Sequence, residues 1–262
     1  RKNKIILTPW GSDLLIEVNF LKKLWFKFIF TKSKSVICDS HRLLNLAIKF
    51  GANKNNTYIC NFGTDTDLYN KTRSIFSDSN KVVIGSNRRL EEIYDIDTFI
   101  KSAEYLIKEF KNISFLIAGN GTLKENLVKK VNEKNLQGSI NFLGALNREE
   151  MIRFYNSIDI YVSTSLSDGG LSSSVAEAMS FERLVIVTRN SDNNKWIKDG
   201  ENGFLFKNKD YLGLSKIIKY NLINKNNAHI ISKKAREVIY QNYSYKKEMQ
   251  KVNTFYEKIY KY

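Results

Sequence analysis

The sequence predicts an α/β protein with two doubly wound parallel sheets. Short apolar runs of strand length alternate with amphipathic helical stretches throughout the 262 residues. Up to Asn61 the order is strand-helix-strand-helix-strand, which is half of such a sheet. After a polar stretch from Lys71 to Asn80, read as a linker, the alternation resumes at Lys81 and runs to Phe206.

Composition bounds the class. With 42% hydrophobic and 13% aromatic residues the chain is globular, and its length suits one large or two small domains. Cys38 and Cys60 each fall inside an apparent strand, outside any metal-ligand spacing, as core thiols in a reducing, cytoplasmic compartment do. These residues contain no signal peptide pattern and no apolar run of about 20 residues. The chain starts at Arg1 and enters a strand almost at once, so the expectation is that its natural beginning is missing. The net charge of +15 would draw the protein to anionic surfaces. The lysines are spread among Asn and Ile, however, a pattern that biased composition alone produces.

The first sheet begins with a strand at Lys4–Thr8, closed by Pro9 and the turn Trp10-Gly-Ser-Asp13, which places Gly11 and Ser12 at a cleft edge. A helix follows from Leu14 to Lys32. Its stripe Leu14, Val18, Leu21, Trp25 and Phe28 is expected to face the sheet. The opposite side mixes Phe20, Phe26 and Phe30 with Lys22, Lys23 and Lys27, the pattern of an interfacial helix on anionic lipid or of a face packed against a preceding segment. Next come a strand at Lys34–Ser40, a helix from His41 to Phe50 stopped by Gly51, and a strand at Thr57–Asn61.

The second sheet opens with Lys81-Val-Val-Ile-Gly-Ser-Asn87, whose loop ends in Arg88 and Arg89, planar forks suited to a diphosphate or simply solvated surface arginines. A helix at Asp97–Phe110 and a strand at Ile113–Ala118 lead to Gly119-Asn-Gly121, a weak phosphate signal that a tight turn explains equally well. A helix from Thr122, a strand at Ser139–Gly144 and a short helix at Glu149–Asn156 then lead to the strand Ile158–Val162.

The richest stretch is Ser165-Leu-Ser-Asp-Gly-Gly-Leu-Ser-Ser-Ser-Val-Ala-Glu-Ala-Met-Ser180, a small-residue loop running from that strand into a helix read as starting at Val175. Ligands sit at such strand carboxyl ends, and loop amides with a helix N-terminus favour phosphate. Glu177, one turn inside, can accept bonds from sugar hydroxyls. It can equally close a capping box with Ser174, whose spacing fits. The strands Leu184–Thr188 and Phe204–Phe206 complete the sheet, and helices are read at Tyr211–Leu222, Ile230–Gln241 and Tyr245–Tyr262.

The small-residue loop with Glu-Ala-Met, the strand after it and Ile197-Lys-Asp-Gly-Glu-Asn-Gly-Phe-Leu205 together resemble the donor half of retaining glycosyltransferases of family 4. That resemblance implies the GT-B fold, two Rossmann-like domains, here a partial acceptor-side domain over 1–75 and a nucleotide-sugar domain over 80–244. The helix 245–262 would pack back on the first. By resemblance Arg88 or Arg89 contacts the donor diphosphate, with Tyr94 standing where the family has a lysine. Trp10 stands where the family often has a histidine. Gly85, the run Gly144, Ala145 and Leu146, the loop Gly169, Gly170, Leu171, Ser172, Ser173 and Ser174, and Glu177 are implied to hold the donor. The family's other glutamate position falls on Gly169, with Asp168 one residue early. Arg88, Arg89 and Asp168 are thus the implied catalytic set.

The implied activity is transfer of a sugar from a nucleoside diphosphate donor to a saccharide or lipid-linked acceptor, with retention, in cell-surface polysaccharide synthesis. The enzyme would be peripheral on the inner membrane face, and the chain would hold the nucleotide while lacking most of the acceptor site. No cofactor and no metal are expected; Asp65-Thr-Asp67 and Asp95-Ile-Asp97 look like metal-binding pairs but suit caps and turns. The rivals are an epimerase or hydrolase on the same fold, and a basic nucleic-acid module. No single basic stripe or aromatic RNA motif supports the latter, so no nucleic-acid partner is expected.

Overall fold

The computed structural model describes residues 5–11, 14, 19–68, 73–77, 81–168, 170–190 and 193–260. Two all-parallel sheets organise it. The smaller has the order β1 (Ile6–Leu7), β2 (Ser35–Cys38), β3 (Thr57–Ile59). The larger contains β4 (Val82–Asn87), β5 (Ile113–Ala118), β6 (Ile140–Gly144), β7 (Ile160–Ser163), β8 (Leu184–Thr188) and β9 (Phe204–Phe206), in the order β6-β5-β4-β7-β8-β9.

Both faces of the larger sheet are covered, which explains why its strands read as continuous apolar runs. Ile160, Val162, Leu184 and Ile186 join one core with α3 (Ile96–Ile107), α4 (Lys124–Glu133) and α8 (Tyr211–Ile223). Their neighbours Tyr161, Val185 and Val187 point the other way, into a core with α5 (Arg148–Ser157), α6 (Ser173–Ser180) and α9 (Lys225–Asn242). A single-turn helix, α7 (Asn193–Trp196), was not foreseen. The α9 helix begins five residues before the Ile230 expected from sequence, because its first turn is polar apart from the buried Ala228.

In the smaller sheet, α1 (Phe20–Lys32) and α2 (His41–Lys49) cover β2. The expected orientation of α1 is corrected. Phe26 and Phe30 are its buried residues, whereas Leu21, Trp25 and Phe28 are 73%, 59% and 62% exposed. Apolar residues occupy both sides of this helix, so periodicity left its rotation open. What decides it is the aromatic cluster with Phe50, whose ring centroid lies 5.3 Å from that of Phe26. Of the expected inward stripe, Leu14 is buried and Val18 lies outside the described residues.

The last helix, α10 (Tyr245–Tyr260), returns to the smaller sheet. Phe255 and Ile259 pack with Ile37 and Cys60, and the rings of Phe255 and Tyr58 lie 4.0 Å apart. Glu248, almost fully buried, accepts the Asn61 backbone N–H at 3.0 Å. The segment 73–77 is fastened to the larger sheet. Arg73 pairs with buried Asp159 at 2.9 Å, and the fully buried Arg183 donates to the carbonyls of Phe181, Ile158 and Arg73. Cys38 and Cys60 are buried free thiols. Among the described residues no helix is long and apolar enough to cross a membrane.

Candidate active site

All strands of the larger sheet are parallel, so their carboxyl ends share one edge. The chain starts this sheet at β4, builds outward to β6, then crosses to β7 on the other side. The crevice between β4 and β7 is therefore a topological switch point, the place where such sheets bind ligands.

Arg88 follows β4 directly and enters that crevice, with its side chain only 10% exposed. Its Nη2 pairs with Asp168 Oδ1 from the loop after β7, and its Nη1 donates to Ser174 Oγ at 3.0 Å. The guanidinium lies 4.6 Å from the centroid of the Tyr94 ring. Burial lowers the proton affinity of Arg88, but the Asp168 carboxylate more than offsets this, so its pKa is raised and the charge is secure. Arg89 points away, with its side chain 75% exposed and 3.7 Å from Glu91. Arg88 is thus the arginine of this crevice and Arg89 a surface residue.

Tyr94 supplies a ring face where the resembled family has a cation. Its carbonyl also accepts Thr164 Oγ1 at 2.8 Å, tying the two walls together. Asp168 is buried, and among the described residues its Oδ2 and Arg88 Nε have no hydrogen-bond partner.

The loop after β7 is held from two sides. A Cβ on Gly170 would stand 3.1 Å from the Asp39 carbonyl at the end of β2, so the loop closely approaches the smaller sheet there. Leu171 is buried, and its carbonyl accepts Tyr243 Oη at 3.2 Å. Gly169 lies outside the described residues, as does Ser12. Gly11 is half-buried, and Trp10 beside it stacks on Phe62 at 4.4 Å.

The helix start differs from the sequence reading. The N-cap of α6 is Ser172, so the helix opens two residues before Val175 and Ser174 already lies inside it. Of the two readings of Glu177, the Ser174–Glu177 capping box is therefore corrected. Ser174 Oγ instead accepts from Arg88, and Glu177 Oε2 accepts the Tyr155 hydroxyl at 2.7 Å. Ser173 is exposed at the helix mouth.

One glycine assignment also changes. Gly85 is buried within β4, and a Cβ there would come within 2.6 Å of Ile158 and 2.8 Å of Phe154. Its missing side chain admits α5 onto the sheet, and it faces that helix rather than the crevice. Gly119 and Gly121 let the turn after β5 approach the turn after β4, since Cβ atoms there would lie 2.2 Å from the Arg88 carbonyl oxygen and 2.3 Å from that of Leu90. These two glycines place the backbone that carries Arg88.

Gly144, with φ of +74°, ends β6, and its carbonyl accepts the Gly119 N–H at 2.7 Å. Ala145 is exposed and Leu146 packs on the α5–α6 core. This corner lies two strands from Arg88, about 10 Å along the sheet. The two Asp-x-Asp runs are engaged locally. Asp95 accepts Thr98 Oγ1 at 2.7 Å, Asp97 pairs with Lys101 at 2.8 Å and with Lys130, and Asp65 accepts the Leu68 N–H at 3.1 Å.

Sequence reasoning passed over Asn87 and Tyr155. Asn87 Nδ2 donates to Tyr155 Oη at 2.8 Å, extending the contact to Glu177. The available signal was a hydroxyl on the apolar face of α5, which reads equally as core.

The family model described as glycosyl transferases group 1 matches residues 70–238. The chain is 27% identical to the uncharacterized glycosyltransferase MJ1069 of Methanocaldococcus jannaschii, over 99% of this chain and 69% of that protein. It is 28% identical to the poly(ribitol-phosphate) alpha-N-acetylglucosaminyltransferase of Staphylococcus aureus over 64% of this chain, only 34% of that relative's length. In fold it matches the crystal structure of Anabaena Alr3699/HepE in complex with UDP and glucose, with a TM-score of 0.86 and 16% identity over 97% of this chain and 71% of that one.

Proposed function

The chain belongs to the glycosyl transferases group 1 family and has the GT-B fold, and from that premise we propose that it carries the donor site of a retaining, family 4 enzyme. The enzyme moves a hexosyl or N-acetylhexosaminyl group from a nucleoside diphosphate to a saccharide or lipid-linked acceptor, in cell-surface polysaccharide synthesis. The observation that carries this reading is the meeting of three features at one switch-point crevice: the buried Arg88 fork, the N-terminus of α6 and the Glu177 carboxylate. The UDP and glucose complex of the structural neighbour supports a nucleotide-sugar donor.

In the proposed reaction the bond between the sugar C1 and the diphosphate oxygen breaks, and a bond from C1 to an acceptor oxygen forms. Negative charge develops on the leaving diphosphate, whose departing oxygen takes the proton that the acceptor hydroxyl loses. Arg88 and the first amides of α6 face that charge, so no metal is needed to stabilise it. Gly144 to Leu146 stand where the nucleobase would lie, and Glu177 accepts the ribose hydroxyls. Asp168, one residue before the family's other glutamate position, would contact the transferred sugar.

Thermal denaturation with UDP-, GDP- and ADP-sugars tests this directly, since ligand at 100 times its dissociation constant adds about 2.7 kcal/mol. One of the three is expected to stabilise the protein. Nucleic-acid binding that collapses with salt, with no response to any nucleotide, would overturn the reading in favour of a basic module.

A second reading concerns α1, whose Phe20, Leu21, Leu24, Trp25 and Phe28 are all more than half exposed beside Lys22, Lys23, Lys27 and Lys32. This apolar and basic surface favours peripheral attachment to anionic phospholipid.

A further inference from the structure

Tyr155 is fully buried, and its ring is fixed by aromatic neighbours. It stacks on Phe181 with centroids 5.2 Å apart, meets Phe154 edge-on at 5.4 Å and lies 6.2 Å from Tyr161. Its hydroxyl therefore has a fixed address, 2.7 Å from Glu177 Oε2.

The direction of the proton follows from the neighbours. A carboxylate only accepts, so the phenol must donate at that distance. Asn87 Nδ2, 2.8 Å away, then has to donate to the phenol oxygen, because the single O–H proton is already committed. Met151 Sδ, 2.9 Å from the same nitrogen, takes its other proton and holds the amide in place. The Ser174 carbonyl, at 3.2 Å, is the more distant acceptor and is neutral. Burial, then the negative charge of Glu177, pushes the phenol pKa well above its ordinary value, so the donor keeps its proton.

We propose that Tyr155 is a positioning residue for the donor site, with Asn87 behind it: the chain Asn87–Tyr155–Glu177 aims the Glu177 carboxylate at the ribose hydroxyls. This rests on the reading of Glu177 as the ribose acceptor. A hydroxyl that only filled the core would serve any ligand equally. One that aims Glu177 affects only ligands with ribose hydroxyls.

The test uses the full chain and six probes: UDP, GDP and ADP, each beside a form whose ribose lacks both hydroxyls. Binding is measured by calorimetry for the parent, Tyr155→Phe, Glu177→Ala and the double variant, each shown by melting to be folded. The parent should prefer the ribose form of one nucleotide, and Glu177→Ala should remove that preference. Tyr155→Phe should reduce it by about five- to tenfold, the size of one lost hydrogen bond. The double variant should then match Glu177→Ala, since Tyr155 acts only through the carboxylate. If Tyr155→Phe does not fold, Asn87→Ala replaces it and should reduce the preference in the same direction.

Equal losses for both ribose forms in Tyr155→Phe, or an unchanged preference there while Glu177→Ala abolishes it, would overturn the proposal and leave Glu177 as the ribose acceptor. A preference that survives Glu177→Ala would remove the reading of Glu177 and the role of Tyr155 with it. A parent that binds none of the six would remove both along with the donor site.

Discussion

Arg88 and Asp168 face each other across the crevice between β4 and β7 as a buried ion pair, with Tyr94 stacked against the guanidinium. The fork that would receive a diphosphate is thus already engaged by a carboxylate of the same chain. At the proposed donor site, a diphosphate would therefore share Arg88 with Asp168 or displace it.

The sign of the Asp168→Asn variant follows. Asn keeps the shape but removes the competing charge, so nucleoside diphosphate affinity should rise, by about tenfold if one charged hydrogen bond is released to the ligand. Arg88→Ala should lower it by about 1.5–3 kcal/mol, while Arg89→Ala, on an exposed side chain, should change it little. Weaker binding in Asp168→Asn would mean that Asp168 holds Arg88 in its working position rather than competing for it. Calorimetric titration with UDP, GDP and ADP reads all three variants.

The fastening of residues 73–77 makes a stability prediction. Asp159 is buried and accepts the Phe76 and Val83 N–H groups at 2.8 Å each, besides pairing with Arg73. Arg73→Ala removes the ion-pair partner of that carboxylate and should cost about 2–3 kcal/mol, toward the low end for a broken buried pair because Arg73 is partly exposed and the Arg183 charge remains nearby. Urea denaturation measures it; a loss under about 0.5 kcal/mol would show that the two N–H bonds suffice.

Alkaline pH should destabilise the fold. Burial, then the nearby Asp39 charge, pushes the Cys38 thiol up to about 12 from 9.0. Burial likewise raises the Tyr161 phenol to about 12 from 10.0. Both groups stay protonated when folded while the unfolded chain releases the proton first. Their contribution is therefore complete below about pH 9 and is lost as pH rises toward 12, with a limiting slope of about 1.4 kcal/mol per pH unit for each group. Urea midpoints taken from pH 8 to 10.5 should fall, and Cys38→Ala should flatten the part that begins near pH 9. An unchanged slope in that variant would remove Cys38 as the cause.

The exposed face of α1 gives a membrane prediction. Replacing Lys22, Lys23 and Lys27 together with Gln should release the protein from vesicles of phosphatidylserine and phosphatidylcholine, each lysine contributing about 1 kcal/mol. Cosedimentation would count against the surface if the parent stays in solution, or if the triple variant binds as well as the parent.

The sequence by itself determined the order of strands and helices, because a strand covered on both faces must be apolar throughout and a helix laid on it must be amphipathic. Leu184–Thr188 and Ile160–Ser163 are legible for that reason. It also singled out the loop after β7 as a candidate ligand contact, because a small-residue run between a strand and a helix leaves backbone amides open to an anion.

Tertiary structure decided what depends on direction. Arg88 and Arg89 are adjacent and chemically identical, and only the backbone path, set by the close approach of Gly119 and Gly121, turns one inward and the other to solvent. The rotation of α1 was open because both of its sides are apolar, and contact with Phe50 chose Phe26 and Phe30. Glu177 fitted a capping box by spacing, yet the helix starts at a different serine and the carboxylate meets Tyr155, 22 residues earlier in the chain. Local spacing records which groups can bond along one helix; a bond between two helices is set by how both pack on the sheet.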